Sequence, residues 1–366
     1  MDKEKNYALR GMGAAAALAA APAAAMAGIS MLSAPGEEAP QVRIAGTRLT
    51  DGEEIDLPLL GAHLDRLPVS FSDGGELLAG NSFSAFPGLS ARFGNYGARE
   101  IFGRCLSAAL SPKAVSAAAG NGVNCIKINA DPALTVRNEK YGKLSCDFSR
   151  FDEMIASCEK AGLWVLAGAH RYSGVTLKEK EAFRYTALLA EHLAGCKAAA
   201  ALEVPGDCEV TTGKKAAKLL KAIRKAGFTG TVLFDSGSIT PDELLSAGDE
   251  FAGVSRRQGF CNMADASQIT AEAAGFTGRG ITYVVTDIYP YDLNALLPLF
   301  AENGIAVFPA NIKGGTDSFL AGTVPLLDLT ADTYESMGEK IKDSLKDKVF
   351  KQNDYIKSAL QNQISL

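Results

Sequence analysis

The chain has 366 residues, of which 47% are hydrophobic and 22% are charged, so it can form one large barrel or two ordinary domains. Its formal net charge of -5 shows no excess of basic residues, which argues against nucleic acid as a partner. The seven cysteines lack CxxC spacing and the three histidines are dispersed, so we expect no metal site, no cofactor and no compact disulfide framework.

The first predicted element is an alanine-rich segment at residues 1–32. Lys3, Lys5 and Arg10 precede an uncharged run that is closed by small residues, in the manner of an A-x-A cleavage site. This is the outline of a secretory signal peptide, and it predicts a secreted or cell-surface protein. If the segment is retained, we expect instead a helix that packs against a partner or lies at a membrane.

Two further segments flank the predicted main domain. Residues 33–75 are predicted to form a linker and a β-hairpin extension, because a Pro/Glu-rich stretch is followed by Asp51-Gly52 between two short β-rich runs. Residues 331–366 read as a charged, lysine-rich helical tail. Together with the alanine-rich segment, this tail is the candidate surface for contacts with copies of the chain or with other surface proteins.

Between residues 76 and 330, strand-like and helix-like segments alternate. This alternation predicts an α/β fold of the (β/α)8 TIM barrel type, with a doubly wound open sheet as the alternative. The eight predicted strands lie near residues 77–81, 124–129, 163–169, 200–204, 231–235, 253–257, 283–287 and 305–309. Helices are predicted at 151–161, 178–194, 214–226, 264–274 and 293–303, and several of them end at a glycine, as expected of a C-cap.

Two predicted strands deliver an aspartate at their carboxyl ends. Alternation places Glu203 and Asp207 on one face of the fourth strand, and Asp287 ends the seventh strand. Because the carboxyl ends of barrel strands build a common site, Asp207 and Asp287 are the candidate catalytic pair, an arrangement suited to glycoside cleavage. Aspartate is also favoured in turns and helix caps, which is the competing role. Alternation further predicts that Glu203 is a buried partner of Lys127.

The chain resembles glycoside hydrolase family 5, the cellulase-type barrels, over roughly residues 77–320. Residues 120–128 (GNGVNCIKI) are similar to the family's second-strand signature, and residues 151–170 to its next helix and third strand, with His170 retained. Residues 202–208 fall at the acid/base motif, residues 284–287 at the nucleophile, and residues 301–315 at the last strand. The resemblance implies hydrolysis of O-glycosyl bonds in a β-linked saccharide.

The motifs are degenerate at the positions that carry the chemistry. Asp207 and Asp287 stand where the family has glutamates, and Lys127 stands where it has an arginine. Each shortening withdraws a carboxylate by roughly 1.5 Å, and a misplacement of about 1 Å can cost on the order of a hundredfold in rate. Arg256 and Arg257 occupy the sixth strand, where the family has a His-x-Tyr. They are expected to pair with the pocket acids or to recognise an anionic ligand.

Three functions therefore remain open. The first is a barrel that no longer hydrolyses and serves as a structural or assembly subunit of an exported or cell-surface complex. The second is a non-catalytic carbohydrate-binding protein, and the third is an active glycosidase that uses the two aspartates on a β-linked saccharide. The predicted substrate-binding residues are Lys127, His170, Tyr172, Glu203, Arg256, Phe260 and Tyr289.

Overall fold

The computed structural model describes residues 41–63, 70–73, 76–78, 82–140, 143–168, 177–290, 292–310 and 326–328, with positions 336 and 339. The predicted alanine-rich segment, the linker up to residue 40 and most of the predicted tail lie outside the described residues, as do His170 and Tyr172. Within the described ranges, no helix has the length and apolar character needed to cross a membrane.

The elements follow one another in the order strand, helix, strand over most of the chain. The strands are β1 (Arg43–Ala45), β2 (Arg48–Thr50), β3 (Asp56–Pro58), β4 (Gly61–His63), β5 (Ser70–Asp73), β6 (Glu76–Leu78), β7 (Cys125–Asn129), β8 (Val136–Lys140), β9 (Lys143–Cys146), β10 (Trp164–Gly168), β11 (Ala199–Glu203), β12 (Thr231–Asp235), β13 (Ala252–Cys261), β14 (Tyr283–Pro290), β15 (Ile305–Pro309) and β16 (Leu326–Asp328). The helices are α1 (Ser82–Ala109), α2 (Pro112–Gly120), α3 (Pro132–Thr135), α4 (Ser149–Lys160), α5 (Glu179–Ala194), α6 (Gly213–Lys225), α7 (Pro241–Ser246), α8 (Met263–Thr277) and α9 (Leu293–Glu302).

Eight parallel strands form a barrel. Their order is β4, β7, β10, β11, β12, β13, β14 and β15, so each strand pairs with the one that follows it in this series. A parallel bridge between His63 and Ala310 then joins the last strand to the first. Sequential order with closure is the (β/α)8 arrangement, which confirms the predicted fold class and excludes the doubly wound sheet.

The first barrel strand lies earlier than we predicted. Gly61–His63 pairs with the second barrel strand, whereas Glu76–Leu78 belongs to a separate sheet with β5 and β16. The prediction of a barrel strand at residues 77–81 is therefore wrong, and the barrel begins before residue 76. A three-residue strand that contains a glycine is too short to show alternation, which is why the sequence pattern did not reveal it.

The other seven barrel strands and the five predicted helices occur within a few residues of their expected bounds. The glycines after α4, α6 and α9, at positions 162, 227 and 304, have φ values of 70°, 94° and 70°, as left-handed C-caps require. Only β13 and β14 run clearly further than expected. Their last residues, Gly259 to Cys261 and Ile288 to Pro290, pair with each other and prolong the sheet at the carboxyl end of the barrel.

A small antiparallel sheet of β1, β2 and β3 closes the amino end of the barrel. The predicted hairpin is present between β2 and β3, where the Asp51 carboxylate accepts three backbone N–H groups of residues 53–55. The Ile44 N–H donates to Thr231 Oγ1 at 2.9 Å, and that hydroxyl donates to the Ile44 carbonyl at 2.7 Å. Apolar side chains of this sheet join one cluster with lumen residues such as Trp164 and Leu233. The amino end is thus filled, and the site must be sought at the carboxyl end.

Candidate functional site

A network of charged and polar side chains lies at the carboxyl end of the barrel. Lys127 Nζ lies 3.0 Å from Glu203 Oε2 and 3.3 Å from Asp287 Oδ2. Arg257 Nε donates to the same Asp287 oxygen at 2.9 Å, and the His63 imidazole contacts the other oxygen through Nδ1. We call this network the mouth cluster; its members are His63, Lys127, Asn129, Glu203, Arg257 and Asp287.

A β-bulge turns Asp287 towards the mouth cluster. The register between β14 and β15 shifts between Thr286 and Ile288, so Asp287 is the extra residue on its strand. Its φ of 56° lies in the left-handed region, which costs energy for a residue that is not glycine. Ile288, the next residue, packs in the apolar layer behind the sheet. The bulge therefore redirects the carboxylate at this point of the strand, a known use of bulges beside functional sites.

Lys127 is the centre of the mouth cluster. Its side chain is 0% exposed, and its ammonium group bridges two buried carboxylates on the non-adjacent strands β11 and β14. The predicted Lys127–Glu203 pair is thereby confirmed. Gly168 on the neighbouring strand gives the lysine room, because a Cβ at that position would lie 2.5 Å from Lys127 Cε and 1.9 Å from Asn129 Oδ1.

The mouth cluster contains charged groups of both signs. Asn129 Nδ2 lies 3.1 Å from His63 Nε2. Among the described residues, the two carboxylates of the cluster face one ammonium and one guanidinium. The carboxylate oxygens nearest Lys127 Nζ are at most 6.3 Å apart, because they lie 3.0 and 3.3 Å from it. The Lys127 ammonium group contacts both of these oxygens.

Asp207 is held in a turn. It belongs to the short 3-10 turn Gly206–Cys208, and its Oδ2 accepts a 3.0 Å hydrogen bond from the Leu177 backbone N–H. This bond connects the loop after β11 with the segment that leads into α5. A general acid must present its proton to the leaving group. One oxygen of Asp207 is already engaged with the backbone, as in the turn role that we considered for this residue.

The other predicted binding residues are distributed over both sides of β13 and β14. Arg256 does not join Asp287, because its guanidinium contacts Glu272 on α8 behind the sheet. Phe260 is 85% exposed on the prolonged part of β13, and Tyr289 pairs with it in register on β14. Arg257, which we had considered as an ion-pair partner of the pocket acids, is the arginine that pairs with Asp287, and its side chain remains 52% exposed.

Sequence reasoning missed two members of the mouth cluster. His63 ends a strand too short to be recognised, and no motif around it marks a site. Asn129 could have been found, since it follows Lys127 at the spacing that returns to the same face of β7. Within the described ranges, no group of three or more His, Cys, Asp or Glu side chains is arranged to hold a metal ion.

A second polar cluster lies behind β13 and β14. Tyr283 Oη and Ser236 Oγ each donate to Glu272 Oε1 at 2.7 Å, and Arg256 contacts the other carboxylate oxygen. Burial alone raises the pKa of Glu272, but the hydrogen bonds from the two hydroxyls and the Arg256 charge outweigh it, so the pKa is lowered.

This lowered pKa predicts an acid-sensitive contribution to stability. The contribution is complete above the ordinary pKa of a glutamate and is lost as the pH falls through the lowered folded-state value. We expect Glu272→Gln to flatten the decline of the unfolding free energy between about pH 5 and pH 3, measured by urea denaturation. The exposed Glu250, changed to Gln, is the control and should leave the slope unchanged. Parallel pH profiles for wild type and Glu272→Gln would contradict this assignment.

Comparison with known proteins adds structural neighbours. No protein-family model matches the chain, and a comparison with curated proteins gives no match. A β-mannanase from Thermomonospora fusca, solved with mannotriose, aligns with a TM-score of 0.49 and 13% identity over 78% of this chain and 90% of the other. A β-mannanase from Streptomyces thermolilacinus, solved with mannohexaose, gives 0.48 and 12% over 77% and 88%. A family 5 lichenase from Caldicellulosiruptor sp. F32 gives 0.47 and 10% over 78% and 92%.

An enzyme of glycoside hydrolase family 5 is thus among the structural neighbours. These identities are too low to carry information on activity. Since these TM-scores also lie below 0.5, the barrel itself is assigned from the strand order and closure of this chain.

Proposed function

We propose that the chain is a glycoside-hydrolase-like barrel without hydrolytic activity, which serves as a structural or assembly subunit of an exported or cell-surface complex. The observation that carries the proposal is the set of three basic side chains around Asp287. This carboxylate occupies the nucleophile position of the resemblance, and it is bound by Lys127, Arg257 and His63 together. To attack a sugar, the carboxylate would have to give up contacts that neutralise its charge in a buried setting.

The second carboxylate supports the same proposal. Asp207 is a methylene shorter than the glutamate of the family motif, and one of its oxygens is bound to the Leu177 N–H. Glu203, the last residue of β11, is buried against Lys127. Neither Glu203 nor Asp207, in the turn after this strand, therefore combines the reach and the freedom of a general acid.

The proposal predicts that the folded protein releases no reducing sugar. β-Mannan, lichenan and carboxymethylcellulose are suitable substrates, and the matched control is the Asp207→Asn/Asp287→Asn double variant. We expect wild type and double variant to give the same background rate over long incubation. Hydrolysis by the wild type that disappears in either single Asn variant would refute the proposal and establish an active glycosidase.

One observation favours that active alternative. Asp287 is held in a strained, left-handed conformation by a bulge. Such strain is concentrated at active sites and ligand clamps, and the bulge aims the carboxylate into the mouth cluster. An active enzyme would have to displace Arg257, whose side chain is half exposed and so less tightly held than Lys127.

A different observation favours carbohydrate binding without turnover. Phe260 is 85% exposed beside the barrel mouth, and an aromatic face exposed to this degree can stack on a sugar ring. Isothermal titration with manno- and cello-oligosaccharides distinguishes this function from a purely structural one. Binding that is weakened by Phe260→Ala would establish it, whereas the structural role predicts no heat of binding.

A further inference from the structure

Helix α6 carries a one-sided row of lysines on the outside of the barrel. Its buried face consists of small and apolar residues, among them Leu219, Leu220 and Ile223. The opposite face exposes four lysines, and their spacing of four, three and four residues keeps them on one line of the helix. This line extends over about 16 Å. We call it the lysine stripe; its members are Lys214, Lys218, Lys221 and Lys225.

The lysine stripe is electrostatically unfavourable in the isolated chain. The helix contains no acidic residue, although the whole protein has a net charge of -5. Like charges three or four residues apart repel one another, and Lys214 in the first turn opposes the helix dipole, whereas Lys225 in the last turn complements it. Lys215, beside the stripe, pairs with Glu179, but within the described part of the chain no ion pair involves Lys214, Lys221 or Lys225. An external anionic surface would relieve this repulsion.

The point at which the amino-terminal chain reaches the barrel indicates the kind of anionic surface that the stripe contacts. The Gln41 side chain accepts from the Thr229 N–H at 3.1 Å and donates to the Cys196 carbonyl at 3.2 Å. The chain therefore reaches the barrel at the end of α6, four residues beyond the last lysine of the stripe. Residues 11–32 are an uncharged, alanine-rich run, and the eight residues 33–40 that separate it from Gln41 span at most about 28 Å.

We propose that the lysine stripe binds the anionic headgroups of a lipid membrane, with residues 11–32 associated with the same membrane. Because the eight connecting residues span at most about 28 Å, a membrane that holds residues 11–32 is within reach of the foot of α6, where the stripe can contact it. The exposed residues of the stripe are lysines and not large apolar side chains, so the contact is electrostatic and peripheral. This proposal does not depend on whether the mouth cluster hydrolyses a sugar.

Vesicle flotation of the full chain tests the proposal. Vesicles of phosphatidylcholine alone are compared with vesicles that contain 30% phosphatidylglycerol. The test variant is Lys214→Gln/Lys221→Gln/Lys225→Gln, which spares Lys218 because its ammonium lies over the Phe183 ring. Each lysine removed should lower the partition coefficient about fivefold, so the triple variant should bind anionic vesicles on the order of a hundredfold more weakly.

The control removes the same charge from other helices, as Arg104→Gln/Lys113→Gln/Lys160→Gln, and should bind within about twofold of wild type. Circular dichroism establishes that both variants are folded. Equal binding by both variants would overturn the proposal, as would equal binding of wild type to vesicles without phosphatidylglycerol. Tight binding of soluble polygalacturonate that the stripe variant loses, with vesicle binding unchanged, would assign the stripe to an acidic polysaccharide and overturn it too.

Discussion

Lys127→Met is expected to lower the free energy of unfolding by roughly 3–5 kcal/mol, because it leaves Glu203 and Asp287 buried without their shared ammonium. The lysine is completely buried and lies 3.0 and 3.3 Å from the two carboxylates. Methionine matches the length of most of the lysine side chain. The loss of unfolding free energy is therefore due to the missing charge and not to a large cavity. Urea denaturation at neutral pH, where both carboxylates need compensation, is the measurement.

A double-mutant cycle distinguishes loss of charge pairing from loss of packing. If the ion pair carries the effect, Lys127→Met combined with Glu203→Gln should cost less than the two single changes added together, by about 1–3 kcal/mol. Lys113→Met, on an exposed position of α2, is the matched control and should change stability by no more than about 0.5 kcal/mol. An unchanged unfolding free energy for Lys127→Met would contradict the role of the lysine as a bridge.

The Lys127–Glu203 pair shows what strand periodicity can predict. Both side chains face the lumen because, on each strand, the residue two positions earlier also faces the lumen. Parallel strands then bring the carboxyl ends of β7 and β11 to the same end of the barrel. The order of strands and helices was predictable for the same reason, since buried parallel strands are continuous apolar runs that separate amphipathic segments.

Asp287 shows where that reasoning fails. Simple alternation cannot anticipate a bulge, in which an extra residue adopts positive φ and reverses the side-chain pattern that follows. The sequence placed Asp287 at the correct end of β14 but gave no sign that Lys127 would reach it. Arg256 and Arg257 were likewise adjacent and equivalent in the sequence, and only the pleat of β13 assigns one to Glu272 and the other to Asp287.

The mouth cluster and the closed amino end together define what kind of barrel this is. The amino end is filled by an apolar sheet, as a structural end should be, while the carboxyl end holds buried charges that a purely structural barrel could replace by apolar residues at little cost. This contrast is what keeps ligand binding and hydrolysis as testable alternatives. Among the described residues, the carboxylates of the mouth cluster are engaged by Lys127, Arg257 and His63, as the proposed non-hydrolytic role requires.

Gly61→Ala is expected to destabilise the protein by about 3 kcal/mol or more, because it disturbs the seam where the barrel closes. A Cβ at this position would lie 2.5 Å from the Val307 carbonyl oxygen and 2.8 Å from the Phe308 ring, and the backbone oxygen cannot move without separating β4 from β15. Gly195→Ala is the control, because a Cβ there meets nothing closer than 3.9 Å and φ is −82°. Urea denaturation of both variants gives the comparison.

The same substitution also tests the assignment of Gly61–His63 as the first barrel strand. If that strand closes the barrel, Gly61→Ala should displace His63, two residues further on, and with it the imidazole that contacts Asp287. We therefore expect the variant to lose part of the coupling between Lys127 and the acids, seen as a smaller effect of Lys127→Met in the Gly61→Ala background. Full stability of Gly61→Ala would mean that β4 and β15 do not pack as closely as this seam requires. The closure of the barrel would then have to be made elsewhere.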